Sequence, residues 1–183
     1  MALGTWWRGD PLPNLPALPS FTIRTATDAQ LIKQLNRLTE EDFNDRLRTG
    51  NHAYIAYLQE TPVAYGWVGT QGGGVREIQL AFTLPPGNRY LWDFETLPEW
   101  RGRGIYAHFL QAIVRQESDL AERFWLLYEP GNEAASHSIQ KAGFAFVAEL
   151  TMTSEHTLGI MLFNKSKRAY AGAAILGLPI AAP

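Results

Sequence analysis

The strongest constraint in this sequence is a run in which a strand passes through a Gly/Arg turn directly into an amphipathic helix: residues 91–114, LWDFETLPEWRGRGIYAHFLQAIV. Residues 89–97 read as a strand, Pro98 breaks it, and Arg101-Gly102-Arg103-Gly104-Ile105-Tyr106 opens a helix. The first N–H groups of a helix have no intrahelical acceptor, and glycines let an anion approach the backbone closely. The segment is therefore expected to bind a phosphorylated ligand.

Other phosphate loops do not fit. A Walker loop needs G-x-x-x-x-G-K-[ST], which the sequence lacks, and a dinucleotide fingerprint needs a third glycine where this run reads Tyr106-Ala107-His108. Glu122 lies near the spacing of a ribose-binding acid but begins a strand, which leaves a Rossmann-type oxidoreductase weakly supported. A second segment follows the short apolar run 124–128: Asn132-Glu-Ala-Ala-Ser-His-Ser-Ile-Gln-Lys141-Ala-Gly143-Phe144. Asn132 is a good N-cap, Ala135, Ile139 and Ala142 share one helix face, and Gly143 ends the helix. The two segments together resemble the GNAT superfamily of acyl-CoA-dependent N-acyltransferases. Its pyrophosphate loop is R/Q-x-x-G-x-G/A, and its later helix and turn read N-x-x-[AS]-x-x-x-x-x-K-x-G-F. The resemblance covers residues 21–164, with Tyr106 standing where a small residue is usual.

At 183 residues and 46% hydrophobic content, with six Trp, seven Tyr and nine Phe, the chain suits one domain with a sizeable core. It has no cysteine, which excludes disulfides, thiolate zinc sites and a thiol nucleophile. A net charge of −2 gives no global basic field for nucleic acid. The first residues lack the basic-then-apolar pattern of a leader, and Pro11, Pro13, Pro16 and Pro19 follow, so residues 1–20 are expected to be an extended arm packed down by Trp6 and Trp7. Residues 165–183 read as a tail that docks on the domain or on a second subunit, too short for a membrane span. A cytoplasmic protein is expected, with no nucleic-acid or membrane partner; a homodimer is left open.

Elsewhere the pattern predicts a strand at 21–24, a helix capped by Thr27-Asp28, another starting at Thr39, and paired strands at 52–58 and 63–70. Gly72-Gly73-Gly74 reads as a hairpin turn before a strand at 75–83, and 146–153 and 158–163 as an antiparallel pair. The fold class is α/β: a mixed, mostly antiparallel central sheet flanked by helices.

The resemblance implies acetyl-CoA as co-substrate, pantetheine contacts at Thr96 and Leu97, and pyrophosphate contacts from Arg101, Gly102, Arg103, Gly104, Ile105 and Tyr106, with Asn132, Ser136 and Ser138 on the later helix. For the arginines, solvated surface charge is as good a reading as direct contact. On the strand entering the loop, Asp93 and Glu95 are two apart and expected on one face. Carboxylates in a covered strand are costly unless paired or functional, so either is a candidate to hold a cationic amine and accept its proton, with Glu95 nearer the loop. An ion pair with a nearby arginine is the plain alternative. Family members commonly carry a tyrosine acid where this chain has Ile139. Ser136, Ser138 and Tyr106 are the hydroxyls nearby, although each also suits a structural role, and a thiolate can be protonated by water.

His52, His108, His137 and His156 lack metal-site spacing, so no metal is expected; Lys165, Lys167 and Arg168 read as a solvated cluster or, less simply, as a site for the cofactor's 3′-phosphate. The function expected is acetyl transfer from acetyl-CoA to a primary amine of a small molecule or peptide. The alternative is an acyl-CoA-binding module that has lost its chemistry.

Overall fold

Eight strands share one sheet in the computed structural model, which describes residues 1–181. In chain order the elements are β1 (Ala2–Trp7), β2 (Phe21–Thr25), α1 (Ala29–Asn36), α2 (Glu40–Arg48), β3 (Asn51–Leu58), β4 (Thr61–Gly69), β5 (Gly72–Val75), β6 (Leu80–Thr83), β7 (Asn88–Thr96), α3 (Ile105–Glu117), β8 (Arg123–Tyr128), α4 (Glu133–Lys141), β9 (Ala145–Met152), β10 (Leu158–Leu162) and α5 (Lys167–Leu176). The sheet runs β10-β9-β1-β8-β7-β4-β3-β2, and β5 pairs with β6 in a separate hairpin. Every neighbouring pair in the large sheet is antiparallel except β7 and β8. The expected mixed, mostly antiparallel α/β sheet is what forms.

Local signals fix the helix starts. Asp28 accepts from the amides of Gln30 and Leu31, Thr39 from Asp42 and Asn132 from Ala135, each satisfying an N–H that has no partner inside its helix. On one face of the sheet α3 and α4 cover Leu91, Phe124 and Leu126. The other face carries α1 and α2 over Ile55, Tyr65 and Trp67, with α5 and the β5–β6 hairpin over Leu3, Tyr90 and Trp125.

Two sequence expectations change, and a third, the docking of the tail, narrows to one of its alternatives. Residues 1–20 are not an arm throughout: Ala2–Trp7 is an interior strand, paired to β8 from Ala2↔Tyr128 to Trp7↔Arg123 and to β9 on its other side. Its interior position is physical: Leu3 is 1% exposed, and Thr5, fully buried, satisfies its hydroxyl on the Phe124 carbonyl at 2.9 Å. Residues 165–183 contain a helix, α5, that lies on the same chain's sheet; Gly172 lets it descend onto Leu3, since a Cβ there would stand 2.5 Å from the Leu3 side chain. The last two positions of that expected tail lie outside the described residues. Gly72-Gly73-Gly74 is strand, and the reversal falls at Arg76–Ile78. A Cβ on Gly73 would lie 2.3 Å from the Tyr90 ring, so glycine here serves close packing of the hairpin on the sheet.

A buried polar knot ties the end of α3 to β3 and β7. The Glu117 carboxylate accepts from His52 Nε2 at 2.7 Å, the Tyr54 hydroxyl at 2.7 Å and Arg89 Nε at 2.8 Å. Burial alone raises its pKa, but hydrogen bonds from His52, Arg89 and Tyr54 outweigh this and hold the group at about 2. A carboxyl depressed in the folded state stabilises the fold above its unfolded pKa, about 4.5, and that stabilisation is lost as pH falls toward about 2. In urea melts, wild-type stability should fall by a few kcal/mol between pH 5 and pH 2, and Glu117→Gln should remove most of that slope. Leu3→Ala should cost about 2–5 kcal/mol at neutral pH; a change near zero would mean that residues 2–7 do not form an interior strand.

Candidate active site

Parallel pairing between β7 and β8 runs only from Asn88↔Arg123 to Leu91↔Leu126. Beyond it the two strands part, and a cleft of about 950 Å³ opens between residues 92–96 of one and 127–129 of the other, bounded by the loop before α3 and by one side of α4.

The loop is built for an anion. Thr96 ends the strand, Leu97 caps one tight turn at Pro98–Trp100, and Gly102 and Gly104 then adopt left-handed backbone at φ +77° and +75°. Side-chain-bearing residues enter that region at a cost, and alternating backbone of this kind turns successive N–H groups to one concave side. Among the described residues, the amides of Gly102, Arg103 and Gly104 donate to no backbone carbonyl. Ile105 and Tyr106 follow as the first residues of α3, where no intrahelical acceptor exists. A Cβ at Gly102 would meet nothing within 4 Å, and one at Gly104 only His108 Nδ1 at 3.9 Å, so the space before these amides is open. The Tyr106 ring turns into the core against Phe94, at 5.7 Å between centroids, and burial pushes its phenol well above the usual range. The bulk at the family's small position thus packs inward, and its hydroxyl is a poorer acid for it.

Of the other residues read from sequence, Thr96, Arg101, Asn132 and Ser138 line the cleft, while the Leu97 amide is spent on Val63 O at 2.9 Å. Arg103 lies over Trp100, 4.7 Å from the ring centre. Ser136 borders a small hollow beside His137, and the Tyr128 hydroxyl donates to it at 3.4 Å. Ile139 is wholly buried in the core. The basic cluster at 165–168 leads into the first turn of α5, on the face opposite α3, where Arg168 closes on Asp10; it does not meet the loop.

Asp93 and Glu95 come to one side of the sheet for a reason that spacing does not show. Tyr65 pairs with Glu95 and Trp67 with Trp92, so Asp93 and Phe94 together oppose Gly66 in a β-bulge, with Asp93 at φ +51°. Phe94 drops onto Phe109 beneath α3, while Glu95 turns to the α1–α2 side. There the Tyr65 hydroxyl donates to Glu95 Oε2 at 2.7 Å, and Arg101 Nη2 reaches Oε1 at 3.2 Å. Burial, and then the Glu95 carboxylate, push the Tyr65 phenol above its usual range, so it stays a donor. Asp93 is bound by Arg46 at 2.5 Å; Arg46 is also held by Asn36 Oδ1 at 3.0 Å and lies over the Trp67 and Trp92 rings at 4.8 and 4.5 Å. Asn36 closes the network by donating to the Tyr65 oxygen. Sequence reasoning did not find Asn36, Arg46, Tyr65 or Tyr128. Only Tyr128 carried a signal, a polar-tipped aromatic at the end of the strand four residues before Asn132.

The family model described as the Acetyltransferase (GNAT) family matches residues 21–144. No curated protein matches the sequence. Among solved structures, a GCN5-related N-acetyltransferase from Kribbella flavida is 19% identical over 79% of this chain and 53% of its own, with a TM-score of 0.54. A putative acetyltransferase of the GNAT family from Novosphingobium aromaticivorans is 20% identical over 79% and 59%, with a TM-score of 0.53. The aminoglycoside acetyltransferase AAC(6')-Ib, in complex with coenzyme A and kanamycin, is 19% identical over 85% and 99%, with a TM-score of 0.55. This chain spans little more than half the length of the first two, and at such identities the likeness is one of fold. The family match runs from β2 through the glycine loop to the turn after α4, more than half of the sequence, and on that ground the chain belongs to the GNAT acetyltransferase family.

Proposed function

We propose that this protein moves an acetyl group from acetyl-CoA to the primary amine of a small molecule. One observation carries the reading: an open left-handed glycine loop gives onto a cleft that passes between parted strands to a carboxylate, Glu95, on the far side of the sheet. Solved AAC(6')-Ib structures hold coenzyme A with kanamycin or ribostamycin, which supports a small-molecule amine as the acceptor class.

The chain's residues divide the work. Amides of residues 102–106 cradle the pyrophosphate, and the ends of β7 and β8 offer backbone groups to the arm between them. Acetyl-CoA supplies a thioester: the amine nitrogen bonds to its carbonyl carbon, the C–S bond breaks, and sulfur keeps the electron pair. An alkylammonium, with a pKa of about 10, must first lose a proton. Glu95 attracts the cation and accepts that proton directly or through water, with the Tyr65 hydroxyl fixing its orientation. Asp93, committed to Arg46, is the less available of the two carboxylates. The sulfur needs a proton that Ile139 does not have; we assign it to the Tyr128 hydroxyl, which lines the cleft and would turn from its long contact with Ser136 to do so. Ile139 also favours a second reading, a module that binds acyl-CoA without turnover.

Coenzyme A release from acetyl-CoA, followed with a thiol reagent across a panel of amines, separates the two. Amine-dependent release is expected; cofactor binding with no release across the panel would leave the binding module. Glu95→Gln should lower kcat by about 10²–10⁴-fold while coenzyme A still binds, as tightly as before or more so with Arg101 released from its carboxylate partner. Gly104→Val forces a branched residue to φ +75° and should weaken coenzyme A binding by about tenfold or more, whereas Gly131→Ala, with nothing within 4 Å of its new Cβ, should leave it as it is.

A further inference from the structure

Asn36, the last residue of α1, holds three side chains of the α1–α2 side at once. Its Oδ1 accepts from Trp67 Nε1 at 2.7 Å and from Arg46 Nη1 at 3.0 Å, and its Nδ2 donates to the Tyr65 oxygen at 3.1 Å. The direction of this amide follows from chemistry. An indole N–H and a guanidinium can only donate, so the atom between them is the oxygen and the atom facing Tyr65 carries hydrogen. Trp67 is wholly buried, which leaves its N–H no solvent alternative to that oxygen. With one hydrogen arriving from Asn36, the Tyr65 oxygen turns its own toward Glu95 Oε2, at 2.7 Å. The chain of donors runs one way, from Trp67 and Arg46 through Asn36 and Tyr65 to the carboxylate.

We propose that Asn36 is a positioning residue that fixes the direction of the Tyr65 proton, so that Glu95 faces a hydrogen and never a phenol lone pair. The inference deepens the reading above: it rests on Glu95 taking the proton of the acceptor amine and adds what keeps it ready. The charged groups around Glu95 are Arg101 from the loop, at 3.2 Å, Asp93 on its own strand, and the Arg46 of α2 that binds Asp93. Arg101 has 60% of its side chain exposed and begins the anion loop, where a bound pyrophosphate competes for it. The Tyr65 hydroxyl is the donor that stays. A hydrogen bond from a neutral hydroxyl favours the ionised carboxylate, whereas the same oxygen turned the other way would set lone pairs against it. Which of the two Glu95 meets is decided two bonds away, by the end of α1.

The Glu95 carboxyl resonance reads this directly, in protein isotopically labelled at its glutamate side chains, with the signal identified by its loss in Glu95→Gln and followed through pH. Asn36→Asp keeps the shape and an oxygen for Trp67 and Arg46 but sets a second oxygen against that of Tyr65, so that one hydrogen faces two carboxylates. It should raise the Glu95 titration midpoint by about one pH unit or more, as should Tyr65→Phe, which removes the hydrogen outright. In the Tyr65→Phe background Asn36→Asp should add less than about a third of the shift it produces alone, because the hydroxyl carries the effect. The acid limb of kcat/KM with acetyl-CoA and an amine should move up in step. A midpoint unmoved by Asn36→Asp overturns the inference, and so does an equal shift with and without the Tyr65 hydroxyl, which would be charge repulsion across space. Should Asn36→Asp not fold, Asn36→Ser withdraws the amide from Tyr65 and should shift the midpoint the same way by a smaller step; no shift there overturns it equally. Midpoints that move as expected while the acid limb stays in place would sink Glu95 as the base and leave the role of Asn36 standing.

Discussion

The bulge opposite Gly66 is the constraint on which the site depends. With a side chain at position 66, a Cβ would stand 2.3 Å from the Phe94 ring, so glycine is what allows Phe94 to fold back under α3. Holding Asp93 at φ +51° costs of order 1–3 kcal/mol, which the packing of Phe94 on Phe109 and the Arg46 ion pair offset. The shifted phase has two results. It sends one side chain into the core beneath the anion loop and the next to the acceptor side, and it stops β7 from tracking β8. Loop, cleft and carboxylate are placed by one extra residue in a strand.

Much of this was legible in the sequence because it is local. Gly102 and Gly104 at a helix start, Asn132 as a cap, and the elements from β2 to β10 apart from the β5–β6 hairpin follow from periodicity, turn residues and capping, each decided within a few neighbours. What escaped was set by distant partners. The run Ala-Leu-Gly-Thr-Trp-Trp looks like an arm because four prolines follow it, and only strands more than 110 residues away make it interior. The three glycines at 72–74 read as a turn until the Tyr90 ring packed against them is known. Asp93 and Glu95 do share a side, yet simple alternation gives that answer without the bulge that produces it, and it gives no sign of Arg46, which comes from another helix. The site's chemistry was readable in outline and its electrostatics were not, since charge neutralisation is a property of pairs.

Two clusters of charge on this molecule illustrate the difference between holding a fold and serving a site. Glu117 is nearly enclosed and receives three donors, so it is ionised and inert, at the opposite end of α3 from the loop. Glu95 has fewer partners and 40% of its side chain exposed. A carboxylate that must take up a proton from a ligand needs an accessible oxygen and a replaceable cation, which the second environment provides and the first denies.

The same logic explains why the first strand belongs inside the sheet. Where β7 and β8 part, each loses a partner, and backbone groups left without one beside a cleft are costly unless the rest of the strand is fixed. The end of β7 stays in register with β4, at Tyr65↔Glu95 and Ala64↔Thr96. The end of β8 stays in register with β1, at Leu3↔Leu127 and Ala2↔Tyr128. Both lips are therefore held from outside while their facing edges remain free to pair with an extended ligand. A cleft kept open by its outer neighbours costs no strand separation at the moment of binding, so ligand contacts with those edges contribute to affinity in full. Without β1 the lip of β8 would be an edge strand with nothing to keep it from closing on β7, and the residues at its tip, Tyr128 among them, would lose the position from which they face the cleft.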